Sequence, residues 1–296
     1  MSSDTQNPAP DPAARLVDEF ARNLFLGAQR VLADEGNLLR LHMFASTIRE
    51  LFSYTIHHLS PEAEVRACQW FKQEKCTNKL TRRQRIAYAI YGGLDPSFLE
   101  EELLLDPDVM CTDLLQAFDE LHKFTHVRPD SLVPDPGVIA SHGEATNRAL
   151  TAFLDNILEC RKAVANALEE KIHDAVYDAI ASEALPEIDE LSSHYSIEEY
   201  DVEHVDVTAI DSEWVHLTAR ASLTVGLQWG SNSDVRNDMG AVGEETLPVT
   251  AKLKAPVSDP TEIESDEEGP AVVDTSSWWE NYYDIEDVPV HDRAGP

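Results

Sequence analysis

The chain of 296 residues carries 55 acidic against 23 basic side chains, a formal net charge of −32, with 43% hydrophobic residues. That apolar share suffices for a real core in one large or two ordinary domains, which excludes a wholly disordered polyanion. No window approaches roughly eighteen consecutive apolar residues, and the opening MSSDTQNPAPDP has neither a basic nor an apolar signal region, so a membrane span is excluded and a cytoplasmic protein is predicted.

Residues 1–12, rich in Pro and Ser, read as a disordered N-terminus. A helical region with a basic cluster follows over 13–142. Leu16, Phe20, Leu24 and Ala28 recur at turn spacing, and Leu41, Phe44, Ile48, Leu51, Phe52 and Ile56 mark a second helix beyond Gly36 and Asn37. Ser60 before Pro61 and Glu62 reads as an N-cap with Pro at the first helical position. Thr81 opens another helix, with Ile86 and Ile90 inward, which Gly92 and Gly93 close. More helix is predicted over Leu99–Leu104 and Leu114–Phe124, up to the break RPDSLVPDPG.

Residues 143–195 read as a long connecting helix. Leu150, Phe153, Ile157, Val164, Leu168, Ile172, Val176 and Ile180 recur without an intervening proline, which predicts one helix between about Glu144 and Leu185, roughly 60 Å long at 1.5 Å per residue. The period then changes to two. Every odd position from Val215 to Trp229 is apolar, Leu247, Val249, Ala251 and Leu253 alternate in the same way, and Tyr200–Ile210 supplies a third strand, giving an antiparallel module over 196–255. The loop GSNSDVRNDMGAVG reads as a hairpin connection, and the end of the long helix as the cover for the sheet. The fold class is therefore α+β, mainly helical in its first two thirds, with a small antiparallel sheet behind.

The segment 256–296 is acidic but includes WWENYYDI; Trp278, Trp279, Tyr282 and Tyr283 read either as a docking motif, for this chain or for a protein partner, or as part of an extension without a role. Removing the twelve acids and one arginine of 256–296 moves the net charge only from −32 to −21, so the body is acidic in its own right. A dense anionic surface of this kind also keeps proteins of salt-loving organisms soluble, and the net charge is not evidence for or against a nucleic-acid partner.

Against that background a basic island stands out. Lys72, Lys75, Lys79, Arg82, Arg83 and Arg85 place six of the 23 cations within fourteen residues, beside Trp70, Phe71 and Tyr88. Closely spaced cations next to aromatic faces suit a phosphate backbone and stacked bases; pairing with nearby carboxylates such as Glu100–Glu102 is the competing structural reading. The string HKFTHVR sets His122 and His126 one turn apart, with Lys123 and Arg128 alongside, a pattern suited to a structural helix end, to proton transfer beside a phosphate, or to metal ligation if a carboxylate joins the pair. In LRLHMFASTIRELF, Arg40, His42, Arg49 and Glu50 flank an apolar stripe, either at its edge or in a cleft. Cys68, Cys76, Cys111 and Cys160 form no CxxC pair and read as reduced, mostly buried thiols. No phosphate loop, GxSxG or HExxH string occurs, and neither a metal site nor a cofactor is expected.

The strings LRLHMFASTIRELF, LTRRQRIAYAIYGGL, LHKFTHVRPD and VGLQWGSNSDVRND, in that order over about residues 13–255, resemble the family of predicted pPIWI-associating nucleases. The paired N-terminal helices also resemble nucleases of the HEPN type, which use an Arg and a His a few residues apart on one helix to cut RNA without metal. That spacing is not met here: Arg40 and His42 are too close, Arg49 and His57 too far apart. The resemblance implies a nuclease-type protein of a prokaryotic conflict or defence system. Its site would be built across helices, with Arg49, Glu50, Lys123 and His126 at the chemistry and Lys79, Arg82, Arg83, Arg85 and Arg128 along the RNA or DNA strand. The alternative is a non-catalytic module that binds a protein or a nucleic acid.

Overall fold

A computed structural model describes residues 12–75, 77–132, 135–181, 185–266 and 271–280. The chain forms two compact units: one runs to Ala167 and includes the turn Ile210–Glu213, and the other holds Leu168–Ala209 and the chain from Trp214 onward.

In the first unit a short 3-10 turn, Pro12–Arg15, leads into α1, Glu19–Ala33, capped by Asp18, whose carboxylate accepts from the Ala21 N–H. The buried stripe of α1 is Ala21, Phe25 and Ala28: Ala28 is inward as expected, while Ala21 and Phe25 take the places expected of Phe20, which is 54% exposed, and Leu24, which is half-buried. The reason is the cap: Leu16 precedes it, lies outside the helix and is buried independently. Helix α2, Arg40–Leu59, buries Leu41, Phe44, Ile48, Leu51, Phe52 and Ile56 as its period predicts. Each apolar side chain so removed from water contributes about 1.5–3 kcal/mol.

Ser60 does not cap the next helix. Its hydroxyl bonds back to the Ile56 carbonyl at the end of α2, and Pro61 stands at the N-cap of α3, Glu62–Ala67. Helix α4, Arg82–Tyr91, opens with a full capping box between Thr81 and Gln84 and closes at Gly92, φ 57°. A Cβ on Gly92 would lie 2.4 Å from the Ile210 carbonyl oxygen, so the helix ends where backbone meets backbone. The Gly93 N–H donates to the Asp211 carbonyl at 2.8 Å, and Ser212 donates its hydroxyl to Glu64 at 2.6 Å. Helices α5, Pro96–Glu101, α6, Pro107–His122, and α7, Pro136–Ala167, complete the unit; Asp95 and Asp106 cap α5 and α6.

The expected forty-residue helix is two helices. After α7 the chain turns at Leu168 and resumes as α8, Glu169–Ala181, with Glu169 and Glu170 favourably placed in its first turn. Val164, Leu168 and Ile172 are all buried, so the apolar period runs across the break and conceals it. The stripe serves different neighbours on its two sides: α7 packs on α4, α6 and α1, and α8 on strands of the second unit.

That unit contains α9, Pro186–Asp189, then β1, His194–Ile210, and β2, Trp214–Trp229, the connecting helix α10, Asn232–Arg236, β3, Ala241–Pro256, and the short strands β4, Glu264–Ser265, and β5, Ala271–Val273. The sheet runs β1-β2-β3-β4, with β5 also paired to β3. β2 and β3 are antiparallel, with Leu217 opposite Leu253, Ala219 opposite Ala251, Ala221 opposite Val249 and Leu223 opposite Leu247. All eight are buried, so the two alternations meet on one face in the register the hydrophobic pattern demands. Helix α8 covers β3, β4 and β5.

Candidate functional site

Two aromatic contacts fix the register of α2 against α6. Phe52 meets Phe118 edge-on at 5.3 Å, and His42 meets Phe124, just past the end of α6, at 6.3 Å. Residues ascending on one helix meet residues descending on the other, so the helices are antiparallel, and the start of α2 adjoins the turn that carries HKFTHVR.

The junction is a single hydroxyl. Ser131 Oγ lies 3.1 Å from His42 Nε2, 3.0 Å from the His126 carbonyl and 3.1 Å from the Arg128 carbonyl, and it accepts the Arg128 N–H at 2.9 Å. It has one proton to give. With that proton on a carbonyl, the remaining lone pair takes Nε2–H of His42, which leaves His42 Nδ1 as a bare acceptor. Nδ1 is buried and has no partner among the described residues, and His42 is only 4% exposed.

On the solvent side of this junction the rings of His122 and His126 lie 6.3 Å apart, edge to face, and both side chains are exposed. Lys123, at the C-cap of α6, pairs with Glu120 at 2.6 Å, and Arg128 is exposed. Phe124 stands behind, its ring 4.8 Å from that of His142 on α7.

Arg49 lies on the His42 stripe of α2, seven residues on and so about 10 Å along the axis. By the α2–α6 register this is level with the last turn of α6 rather than with His126. Its Nε is buried without a hydrogen-bond partner among the described residues. Glu50 faces another way, lining a shallow groove of about 560 Å³ with Phe20, Leu24, Ser53, Tyr54 and His57. There the Tyr54 hydroxyl bonds Asp18, whose carboxyl is held below its usual range first by the Ala21 N–H and then by that hydroxyl. Among the described residues no hydrogen bond or ion pair joins Arg49 or Glu50 to Lys123 or His126.

The basic island divides. Arg85 is held by the protein: Nη1 donates to the Ser60 carbonyl at 2.7 Å, Glu62 lies 3.8 Å away, and burial pulls its pKa down. Arg83 pairs with Asp108, and the Arg82 guanidinium covers the Phe118 ring at 4.8 Å. Among the described residues no ion pair joins any of the three to Glu100–Glu102. Lys72, Lys75 and Lys79 are exposed, on the loop before Thr81.

Cys68, Cys111 and Cys160 are buried free thiols, and Cys76 lies outside the described residues. Among the described residues no three His, Cys, Asp or Glu side chains are grouped to hold a metal, and no helix is long and apolar enough to cross a membrane. In the second unit Trp278 stacks on Trp229 at 6.0 Å with 20° between planes; Tyr282 and Tyr283 lie outside the described residues.

Sequence reasoning placed His42 beside the apolar stripe of α2 and weighed its distance from Arg40, but did not see its role as the contact between α2 and the HKFTHVR turn. Ser131 was missed altogether, because nothing in a polar loop distinguishes one serine from another.

In class the chain falls among the predicted nucleases. Two family models, each described as predicted pPIWI-associating nuclease, match residues 13–150 and residues 157–279, and the chain belongs to that family. No curated protein and no solved structure matches it.

Proposed function

We propose that the helical unit is a phosphodiesterase that cuts single-stranded RNA at the HKFTHVR turn, and that it serves a prokaryotic conflict or defence system. The observation that carries the reading is the pair of exposed imidazoles of His122 and His126, 6.3 Å apart and flanked by Lys123 and Arg128. Two imidazoles so spaced suit the two ends of an in-line displacement. One takes the proton of a 2′-hydroxyl as its oxygen attacks phosphorus, and the other, protonated, gives its proton to the departing 5′-oxygen. The products are a 2′,3′-cyclic phosphate and a 5′-hydroxyl, and the protons balance. Lys123 and Arg128 meet the charge that develops on the phosphoryl oxygens. Arg49, whose Nε is buried without a partner among the described residues, and Glu50, which lines a separate groove, take no part in this proton transfer.

Strand binding falls to Lys79 with Lys72 and Lys75, and to the face of Arg82; Arg83 and Arg85 support that helix end. The test is incubation of the purified protein with labelled RNA and DNA, single- and double-stranded, with Mg²⁺ and with chelator. Cleavage of single-stranded RNA that is lost in His126→Ala supports the reading. No cleavage by the wild type under any condition sinks it, and binding without turnover would favour the alternative of a non-catalytic module, to which the exposed lysines are equally suited.

A further inference from the structure

Behind the HKFTHVR turn lies a cavity of about 970 Å³, walled by the Pro12 turn, α1, α6 and α7. It is within the volume range of small-molecule sites. Its polar lining is mainly acidic and amide where the turn is basic; its arginine, Arg148, pairs with Glu144 at 3.8 Å. Asp113, Gln116 and Glu120 line one side, and Gln29 and Asn147 meet across it as a reciprocal amide pair, at 2.8 Å and 3.5 Å. Phe25, Phe124 and His142 supply ring faces. Of the carboxylates, Asp155 is neutralised by Arg15 at 2.6 Å and Glu120 by Lys123 at 2.6 Å, whereas Asp113 has no ion partner among the described residues.

Resting on the phosphodiesterase reading, we propose that this cavity takes one unstacked nucleobase of the strand whose phosphate lies at the turn, and that it selects bases bearing an exocyclic amino group. A carboxylate repels phosphate but accepts from the amino groups of adenine, cytosine or guanine, and uracil turns a carbonyl to it instead. Gln29 and Asn147 are engaged with each other, so the edge-reading amide is Gln116, which offers a donor and an acceptor in one plane, and the ring faces hold an extruded base by stacking. Phe124 belongs to both places. Its ring lies against His42 on the side of the turn and against His142 on the side of the cavity, so base and phosphate of one nucleotide fall on the two sides of one residue.

The experiment is equilibrium binding of AMP, CMP, GMP and UMP to the full chain by calorimetry, since none of these has a phosphodiester to cut. The three amino-bearing nucleotides bind about tenfold more tightly than UMP, and the exposed, shape-conserving change Asp113→Asn shrinks that ratio toward one. Amide hydrogen exchange with AMP shows protection along α6 and α7. Equal affinity for all four, an unchanged ratio in Asp113→Asn, or protection elsewhere overturns the inference. Base-selective binding by a protein that cuts nothing sinks the catalytic reading and keeps this one; cleavage indifferent to base does the reverse.

Discussion

His42 and Ser131, 89 positions apart in sequence, meet at 3.1 Å, and that contact ties α2 to the turn carrying both exposed imidazoles. The hydroxyl also holds the turn itself, accepting the Arg128 N–H and giving its one proton to the His126 or the Arg128 carbonyl. It is the part of the site where fold and proposed chemistry are most directly coupled.

Ser131→Ala therefore strands two donors, the Arg128 N–H and His42 Nε2. The expected cost is about 1–3 kcal/mol, read as a lower denaturation midpoint. Cleavage measured well below that midpoint should fall further than the loss of folded protein explains, because the turn that aims His126 is loosened. Ser131→Thr keeps the hydroxyl and should retain most of both. Equal stability and equal turnover in the alanine variant would show that the junction does not position the turn.

The cations of the basic island separate into two experimental classes. Arg85→Gln leaves the Ser60 carbonyl without its 2.7 Å donor, and its effect should be on stability, about 1–3 kcal/mol, with little change in strand affinity once the folded fraction is matched. The triple change of Lys72, Lys75 and Lys79 to Gln should leave the melt unchanged, weaken binding to single strands, and flatten the salt dependence by about 0.7 for each phosphate no longer neutralised. An affinity loss confined to Arg85→Gln would reverse the assignment. Arg83, in an exposed ion pair with Asp108, should register weakly in both assays.

Much of the fold was legible because its signals are periodic. The alternation from Val215 to Trp229 and from Leu247 to Leu253 fixed both strands and, through the shared apolar face, their register. The Thr81–Gln84 box and Gly92 marked the two ends of α4. What escaped were single-residue events. The turn at Leu168 lies inside an unbroken apolar period, so spacing alone cannot reveal it. At the candidate site the sequence indicated the HKFTHVR turn, because four polar, chemistry-bearing side chains stand together there. Which part of α2 meets it depends on helix register. Arg49 and Glu50 were the sequence choice, and the register brings His42 to the turn, through a serine that carries no sequence signal of its own.

The buried thiols give a pH signature. Burial pushes Cys68 and Cys160 up to about 12 and Cys111 up to about 11, from an ordinary value near 9. Above pH 9 the unfolded chain loses protons that the folded chain keeps, so folding binds protons and stability falls as pH rises from 9 through 11–12. Below 9 these three groups contribute no pH dependence. Tyr88 and Tyr91, also raised by burial, steepen the same alkaline limb. Denaturant midpoints at pH 8, 9, 10 and 10.5, values chosen to bracket the onset at about 9, should be level at first and then decline. A thiol reagent at pH 8 should label none of the three without denaturant. Rapid labelling of the native protein at Cys111, identified by mass, would contradict the burial.

Trp278 tests whether the aromatic segment docks on its own chain. Its ring stacks on Trp229, which is itself fixed by Nε1 donating to the Leu191 carbonyl at 2.8 Å. Stacking of this kind adds about 0.5–1.5 kcal/mol beyond the area buried. In Trp278→Ala the chain following Thr275 should be cut faster in limited proteolysis, and the tryptophan emission of the four that remain should shift to the red, by an amount that vanishes when Trp229 is also replaced. Trp278→Phe preserves a ring to stack and should protect nearly as well. The outcome also bears on partners: a stack that protects in the isolated protein means any protein using this segment must compete with Trp229 for it, so Trp229→Ala, which leaves the segment itself intact, should strengthen such binding. Proteolysis unchanged in Trp278→Ala would show that the stack does not hold the segment, and Trp278 would then be free to meet a partner without competition.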